Sequence, residues 1–343
     1  RELRLDYSIT ETVHVGAQLY LDVLLRDIFI YSKKLSEKYS NLSLLERVRT
    51  VKVNNDNVGK LLFSIGSFAI HRNEKKEYDD IVPYPLCEFK KKNTATNLFN
   101  IETKERDVTE MVQYVIDSLG KMNKELTSDS IENLSIIIGE ILINAEEHST
   151  DEHRFSIGYF QGHGVDMEQY GIFNLVILNF GNTIYDKFKD ENCPRKDIVG
   201  QMEDLSRKYT TNNFFGKTIK EETLWTLYAL QEQITSVSPE KNVKRGNGSI
   251  KFIESFFSLK DEDGQLDNIS RLALLSGNTS IVFDGTYGIQ EKTKNNEKFK
   301  VMTFNSSGDI SNKPDAKYVK FVPNHFPGTI ISAQIVISKD DIL

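Results

Sequence analysis

The sequence predicts an α/β protein built in two parts, and three observations support this prediction. The chain has 343 residues, which is enough for two domains of ordinary size. Hydrophobic residues make up 39% and charged residues 27%, a balance that is typical of a globular protein and excludes a disordered or Gly/Pro-repeat chain. Apolar residues recur at every second position in some segments and at three- and four-residue steps in others, which are the periods of strands and helices.

The first part alternates strand, helix, strand and helix. Residues 3–9 alternate apolar and polar side chains, as a half-buried strand does, and the valines of 48–53 indicate another strand. A second helical segment begins near Asn57. This order predicts a small α/β unit. The first helix, from about Glu11 to Lys38, is predicted by apolar residues at helical spacing: Val13, Ala17, Tyr20, Leu21, Leu24, Leu25, Ile28, Tyr31 and Leu35.

A connector and a larger domain follow this unit. The composition of residues 72–106 changes to charged and Pro-containing sequence, which predicts a connector or surface excursion. We therefore place a small domain with its connector at 1–105 and a larger domain at 106–343. In the larger domain, helical patterns cover about 107–123, 129–148, 219–234 and 248–258, and strand patterns cover about 153–160, 172–179, 279–284, 298–304 and 329–337.

The net charge limits the binding partners of the protein, and the cysteine content indicates its cellular compartment. The 43 Lys and Arg residues stand against 50 Asp and Glu, and the net charge of −7 disfavours broad capture of nucleic acid or of an anionic membrane. No apolar run approaches the ~20 residues of a membrane span. Cys87 and Cys193 show no metal-ligand spacing, which predicts reduced thiols in a cytoplasmic protein; a single disulfide between them is the alternative.

One helix carries three polar residues on one face, beside a stripe of apolar residues. Glu140, Asn144 and His148 are spaced at i, i+4 and i+8, so they share one face of the helix at 129–148. An Asn carboxamide oxygen is a suitable ligand for Mg²⁺, and a Glu one turn earlier is placed to orient or deprotonate a water or hydroxyl. The alternative interpretation is an amphipathic helix whose polar residues face solvent.

Three later motifs complete a pattern with this helix. An apolar strand runs into residues 179–184 (NFGNTI), residues 244–250 (KRGNGSI) precede a helix, and residues 327–330 (PGTI) lead into the last strand. Each motif is weak by itself, and the alternative interpretation of residues 245–248 is a plain turn. In this order, together with the helix, they resemble the GHKL superfamily of ATP-binding domains, named for gyrase, the heat-shock chaperone, histidine kinase and MutL. The resemblance covers about 107–343 and is nearest the anti-sigma-factor serine kinase branch.

The resemblance implies a two-layer α/β sandwich with a mixed sheet that binds ATP and Mg²⁺. By this resemblance Asn144 is the Mg²⁺ ligand that bridges the phosphates, and Glu140 is the general base. Small glycine residues and a helix N-terminus suit anionic oxygens. The remaining site residues implied by the resemblance are Gly181 and Thr183 beside the adenine, Arg245, Gly246 and Gly248 in a lid over the phosphates, and Thr329 on the strand near the adenine.

The first glycine motif departs from the family pattern at Asn179. The family has an Asp there, whose carboxylate accepts a hydrogen bond from the adenine amino group. The side-chain oxygen of Asn179 can also accept, whereas the opposite orientation of the amide presents a donor and alters the selection of the base. Thr183 stands where the family has a second Gly.

The resemblance also implies a function and partners. The expected function is Mg²⁺-dependent ATP binding that drives a conformational switch in signalling, with slow ATP hydrolysis or protein Ser/Thr phosphorylation. The alternative is a non-catalytic module that binds a nucleotide or a partner. The interval 186–245 is expected to hold the lid and contains the only tryptophan, Trp225. The N-terminal unit weakly resembles the STAS fold, with a generic α/β unit as the alternative, and a protein partner or a homodimer is expected.

Overall fold

The computed structural model describes residues 2–39, 47–67, 78–90, 97–148, 153–163, 170–210, 219–231, 234, 248–258, 270–294, 297–338 and 341–343. The strands in these ranges are β1 (Glu2–Asp6), β2 (Arg47–Val51), β3 (Ile81–Lys90), β4 (His153–His163), β5 (Tyr170–Phe180), β6 (Arg271–Phe283), β7 (Gln290–Lys294), β8 (Glu297–Val301) and β9 (Val319–Ile337). The helices are α1 (Val15–Lys38), α2 (Asp56–Ser64), α3 (Asn97–Gly120), α4 (Ser128–His148), α5 (Ile184–Lys189), α6 (Lys196–Thr210), α7 (Glu221–Ala229) and α8 (Gly248–Ser258).

The strands form one central sheet and two small ones. The central sheet has five strands in the order β3-β4-β5-β9-β6, and each neighbouring pair is antiparallel. Strands β1 and β2 pair in parallel, as a strand-helix-strand unit requires, and β7 and β8 form an antiparallel pair. The α/β class is confirmed. Both directions of pairing occur in the protein, with the parallel pair in the small N-terminal sheet.

Helices cover both faces of the central sheet. Because side chains alternate along a strand, Phe173, Leu175 and Ile177 of β5 face one side and Val176 and Leu178 face the other. The first group belongs to the main core, to which α3, α4, α7 and α8 contribute. The second group packs against α1. The sandwich therefore has a second helical layer, which the two-layer expectation did not include.

Strand β3 belongs to the central sheet, although its residues fall in the predicted connector 72–106. It pairs with β4 and forms one edge of the sheet. Pro83 and Pro85 give this segment the composition of a loop, but an edge strand tolerates proline because one side of its backbone makes no ladder hydrogen bonds. With β3 in the sheet and α1 on its face, the boundary predicted after residue 105 separates parts that share one sheet.

Helix α1 presents much of its predicted apolar stripe to solvent. Leu19 and Val23 are fully buried against the sheet. Leu24, Ile28 and Tyr31, which belong to the stripe that predicts the helix, are 38%, 50% and 65% exposed. The apolar periodicity therefore locates the helix correctly, but many of the apolar residues that define it lie on the solvent-facing side.

The N-terminal half of α1 is anchored by aromatic contacts. The ring of Tyr20 lies 5.3 Å from that of Phe326, edge to face, and 6.0 Å from that of Phe180. The helix begins after His14, whose Nδ1 accepts a hydrogen bond from the backbone N–H of Gly16 at 3.1 Å. This end of α1 is thus fixed to the end of β5 and to the middle of β9.

The two cysteines are free thiols. Cys87 lies on β3, where the pairing register with β4 shifts between Tyr84 and Cys87, and Cys193 is buried. Within the described ranges, no helix combines the length and the apolar character that crossing a bilayer needs.

Candidate functional site

A row of four polar side chains crosses one end of the central sheet. Arg154 of β4 stands opposite Asn179 of β5, Asn179 opposite Thr329 of β9, and Thr329 opposite Ser276 of β6. Their parity along the strands places all four on the face covered by α3 and α4. All four are at most 3% exposed. We call this set the polar row. Polar groups so deep in a protein need hydrogen-bond partners.

Within the part of the chain that the structure describes, Asn179 lacks such partners. Its side chain is fully buried, and neither the amide oxygen nor the amide nitrogen has a hydrogen-bond partner among the described residues. Each buried polar group left unpaired costs about 1–3 kcal/mol. A natural sequence retains such a cost where a ligand or an ordered water supplies the missing bonds. Asn179 is therefore the strongest single indication of a binding site in the described chain.

Thr329 and Ser276 form a hydroxyl pair next to Asn179. Their side-chain oxygens lie 2.9 Å apart, and Ser276 Oγ also accepts from the backbone N–H of Ile184 at 2.9 Å. This second bond attaches the start of α5 to β6. Ser276 Oγ also donates to the carbonyl of Gly328 at 3.4 Å, and Thr329 then donates to Ser276 and keeps its oxygen lone pairs to accept from a further group. Sequence reasoning identified Thr329 but not Ser276, because strand pairing decides which residue lies beside it.

The two glycines of the motifs have backbone roles at this end of the sheet. Gly328 has φ +149°, and a Cβ there would lie 2.0 Å from the backbone oxygen of Asn179. Gly181 has φ +121°, and its N–H donates to the carbonyl of Pro327 at 3.1 Å. Only glycine permits this close approach of β5 and β9. The approach of an adenine to Gly181 stays a prediction.

Thr183 caps helix α5. Its hydroxyl accepts from the N–H of Asp186 at 3.1 Å, and the Asp186 carboxylate accepts from the N–H of Thr183 at 2.9 Å. This reciprocal pair is a capping box. The side chain is buried in this structural role. Its hydrogen bond near the base stays a prediction, and the cap explains why a Thr is found here.

A buried ion pair closes the other end of the polar row. Arg154 Nη2 donates to Asp107 Oδ2 of α3 at 2.8 Å, and both side chains are almost fully buried. The guanidinium also lies 4.6 Å from the centre of the Phe89 ring. Burial raises the pKa of the Asp107 carboxyl, and the attraction of Arg154 opposes that rise. Sequence reasoning missed this pair, because its residues are far apart in the chain.

Helix α4 approaches the polar row through its neighbour α3. A side-chain carbon at Gly139 would lie 3.8 Å from Val108 Cγ2, and Val108 directly follows Asp107. Glu140, the next residue of α4, is half-buried and interacts with neighbouring groups of the protein. The structure therefore brings the helix of Glu140 to the same end of the sheet as Asn179 and Thr329.

Several predicted site residues lie outside what the structure describes. Asn144 follows Glu140 by one turn of α4, but its side chain is not among those described. Arg245 and Gly246 lie outside the described residues, whereas Gly248 is the first residue of α8, which packs on α4. Among the described residues there is no cluster of three His, Cys, Asp or Glu side chains for a metal. The Mg²⁺ expectation rests on Asn144.

Trp225 belongs to the main core. It lies on α7, is fully buried, and its indole N–H donates to Ser206 Oγ at 3.2 Å. The Tyr185 ring lies 5.5 Å away, and the Lys189 ammonium lies 4.6 Å from the indole. The expected lid interval thus includes three packed helices, α5, α6 and α7, while 211–218, 232–233 and 235–247 lie outside the described residues.

The known proteins give no further guide to this site. No protein-family model, curated protein or solved structure matches the chain.

Proposed function

We propose that the protein binds ATP with Mg²⁺ at the polar row and acts as a conformational switch of the GHKL type. Its chemistry is slow ATP hydrolysis or protein Ser/Thr phosphorylation. One observation carries this proposal: Asn179 is fully buried, its amide has no hydrogen-bond partner among the described residues, and it lies directly opposite Thr329 in the sheet. The resemblance of the motifs that contain these two residues to an adenine site supports it.

The chemistry of adenine suits the unpaired amide. The edge of the base presents an amino donor beside a ring-nitrogen acceptor. The amide of Asn179 offers an acceptor and a donor side by side, so one base edge satisfies both atoms. Thr329 adds a hydroxyl oxygen beside the amide, held 2.9 Å from Ser276 Oγ. The residues present therefore fit the base of the nucleotide.

The phosphate side of the proposal rests on α4 and α8. Asn144 would hold Mg²⁺, and Glu140 would orient or deprotonate a water or a protein hydroxyl. Arg245, Gly246 and Gly248 would line the phosphates at the start of α8, where backbone N–H groups favour anionic oxygens. ATP would supply the phosphoryl group that is transferred.

A second candidate is a non-catalytic module that binds a nucleotide without turnover. The observation that favours it is Asn179 itself, because an amide lacks the charge of the carboxylate found in the resembling family. Glu140 and Asn144 on one helix face favour the enzyme. The two candidates differ in turnover and share the binding site.

Calorimetric titration with ATP and ADP, with and without Mg²⁺, tests the proposal. The parent protein should bind ATP more tightly with Mg²⁺, and Asn144→Ala should remove that dependence while the fold stays intact. Glu140→Ala should keep binding and abolish turnover. A parent protein that binds neither nucleotide would overturn the proposal. Binding without turnover in the parent selects the non-catalytic candidate.

Competition between ATP and GTP tests the placement of the base. If Asn179 accepts from the adenine amino group, the GTP carbonyl faces that oxygen, and the mismatch costs about 1–3 kcal/mol, or roughly tenfold to a hundredfold in affinity. The variant Asn179→Asp should prefer ATP more strongly, because a carboxylate only accepts. If its preference equals that of the parent, Asn179 does not read the base.

A further inference from the structure

Helix α1 carries an exposed apolar seam on the side away from the sheet. Leu24, Ile28 and Tyr31 are 38%, 50% and 65% exposed, and Leu21 and Leu35 continue the line half-buried. A lone exposed apolar side chain is ordinary, but a contiguous line of them marks an interaction surface. We call these five residues the α1 seam.

The spacing of the α1 seam is that of a coiled coil. Its members follow one another at steps of three, four, three and four residues, from Leu21 to Leu35. A seam of this kind repeats every 3.5 residues, which keeps it aligned with a second helix along its length. Packing of α1 against its own sheet does not require the seam, since that contact uses Leu19 and Val23.

The α1 seam is complementary to itself when two copies run antiparallel. In that arrangement, an a position of one helix meets a d position of the other. Placing Ile28 opposite Tyr31 of the second copy also places Leu24 opposite Leu35 of that copy. The same register repeats these contacts after a two-fold rotation, so four apolar layers form and the interface is closed.

The charges beside the seam favour this same arrangement. Asp27 and Lys34 lie on one flank of α1, each just before a seam residue, and both are exposed. In the antiparallel register, Asp27 of one copy lies within two residues, or about 3 Å along the axis, of Lys34 of the other. Rotation produces the pair twice. A parallel, in-register pair of helices would set Asp27 opposite Ser32, which is buried in its own protomer.

We propose that the protein forms a homodimer through antiparallel pairing of the α1 seams of two copies. The two-fold axis passes beside α1 between residues 29 and 30. The proposal is independent of nucleotide binding, since the seam lies on the outer side of the helix that covers the opposite face of the sheet from the polar row.

Sedimentation of the 343-residue chain across a concentration series tests the dimer. We expect the mass of two chains. Ile28→Asp places a charge in the seam of each copy and should raise the dissociation constant at least about a hundredfold, with the far-UV circular dichroism of the parent. Ile9→Asp is the matched control, because Ile9 is 91% exposed and lies outside the seam. The dissociation constant of its dimer should equal that of the parent.

A charge exchange tests the antiparallel register. Asp27→Lys and Lys34→Asp each put like charges opposite one another twice, and each should weaken the dimer about fivefold to thirtyfold. The double variant restores opposite charges and should dimerise as the parent does. A parent that stays monomeric overturns the proposal and leaves the seam to a different protein. A dimer insensitive to Ile28→Asp, or a double variant no tighter than either single variant, also overturns it.

Discussion

The two faces of the central sheet are covered by helices of similar length that are attached in different ways. Helix α4, with 21 residues, has a fully buried stripe that includes Leu134, Ile137 and Ile141. Helix α1, with 24 residues, is buried mainly along its N-terminal half, and its most regular apolar stripe is exposed. The sequence patterns are alike. An amphipathic stripe therefore locates a helix without indicating whether the surface it packs on belongs to the same chain.

Removing an ion pair from each face should give the largest difference in the loss of unfolding free energy. Asp107→Ala leaves Arg154 buried without its carboxylate and should lower the free energy of unfolding by about 3–5 kcal/mol. The matched change on the α1 face, Glu88→Ala, removes partly exposed contacts with Arg26 and His153 and should cost at most about 1 kcal/mol. Urea unfolding of both variants measures the difference. Equal losses of unfolding free energy would mean that the two ion pairs are buried to a similar degree.

Truncating an isoleucine in each helix should give the next largest difference in the loss of unfolding free energy. Ile138→Ala creates a cavity beneath α4, where the residue is 0% exposed, and should cost about 2–5 kcal/mol. Ile28→Ala on α1 should change the stability of the monomer by less than about 0.5 kcal/mol. Both are measured by urea unfolding at a protein concentration where the chain is monomeric. A loss at Ile28 as large as that at Ile138 would mean that the α1 seam is covered within the monomer.

Asn179→Leu should separate binding from stability on the α4 face. Leucine has a similar shape and removes the two polar atoms that lack partners among the described residues, so the nucleotide-free protein should gain about 1–3 kcal/mol of unfolding free energy. Nucleotide binding should be lost at the same time. Thermal unfolding with and without ATP measures both. A variant that loses stability shows that the amide has partners in the folded chain, so that no ligand is needed to satisfy it.

The smallest expected effect is a pH dependence at the start of α1. Burial lowers the pKa of His14 below its usual value of 6.5, so the folded state favours the neutral ring that accepts from Gly16. Stability is therefore full above pH 6.5 and falls as the pH decreases through the unfolded value towards the folded one. The ring is partly exposed, so screening keeps the loss to a few tenths of a kcal/mol.

The variant His14→Asn supplies the control for this effect. Asparagine caps a helix well and does not titrate in this range. Urea unfolding at about pH 8 and about pH 5.5 should show a smaller loss for the variant than for the parent. Equal pH dependence in both proteins would assign the acid sensitivity to other groups.

The sequence predicts most elements but not their pairing. Alternation and helical spacing identify β1, α1, β5 and α8 to within a few residues, because these local periods do not depend on the rest of the chain. Strand β3 was missed because Pro83 and Pro85 have the composition of a loop. The polar row was predicted only at Asn179 and Thr329. Arg154 and Ser276 join it through strand register, which long-range contacts determine.

Strand β3 also has a consequence for aggregation. An edge strand presents free N–H and C=O groups that can template a strand from another molecule and so begin a fibril. Pro83 and Pro85 supply no N–H, and the register shift between Tyr84 and Cys87 bends the regular ladder. This edge is therefore a poor template. At high protein concentration, strands from other molecules are hindered from pairing with it.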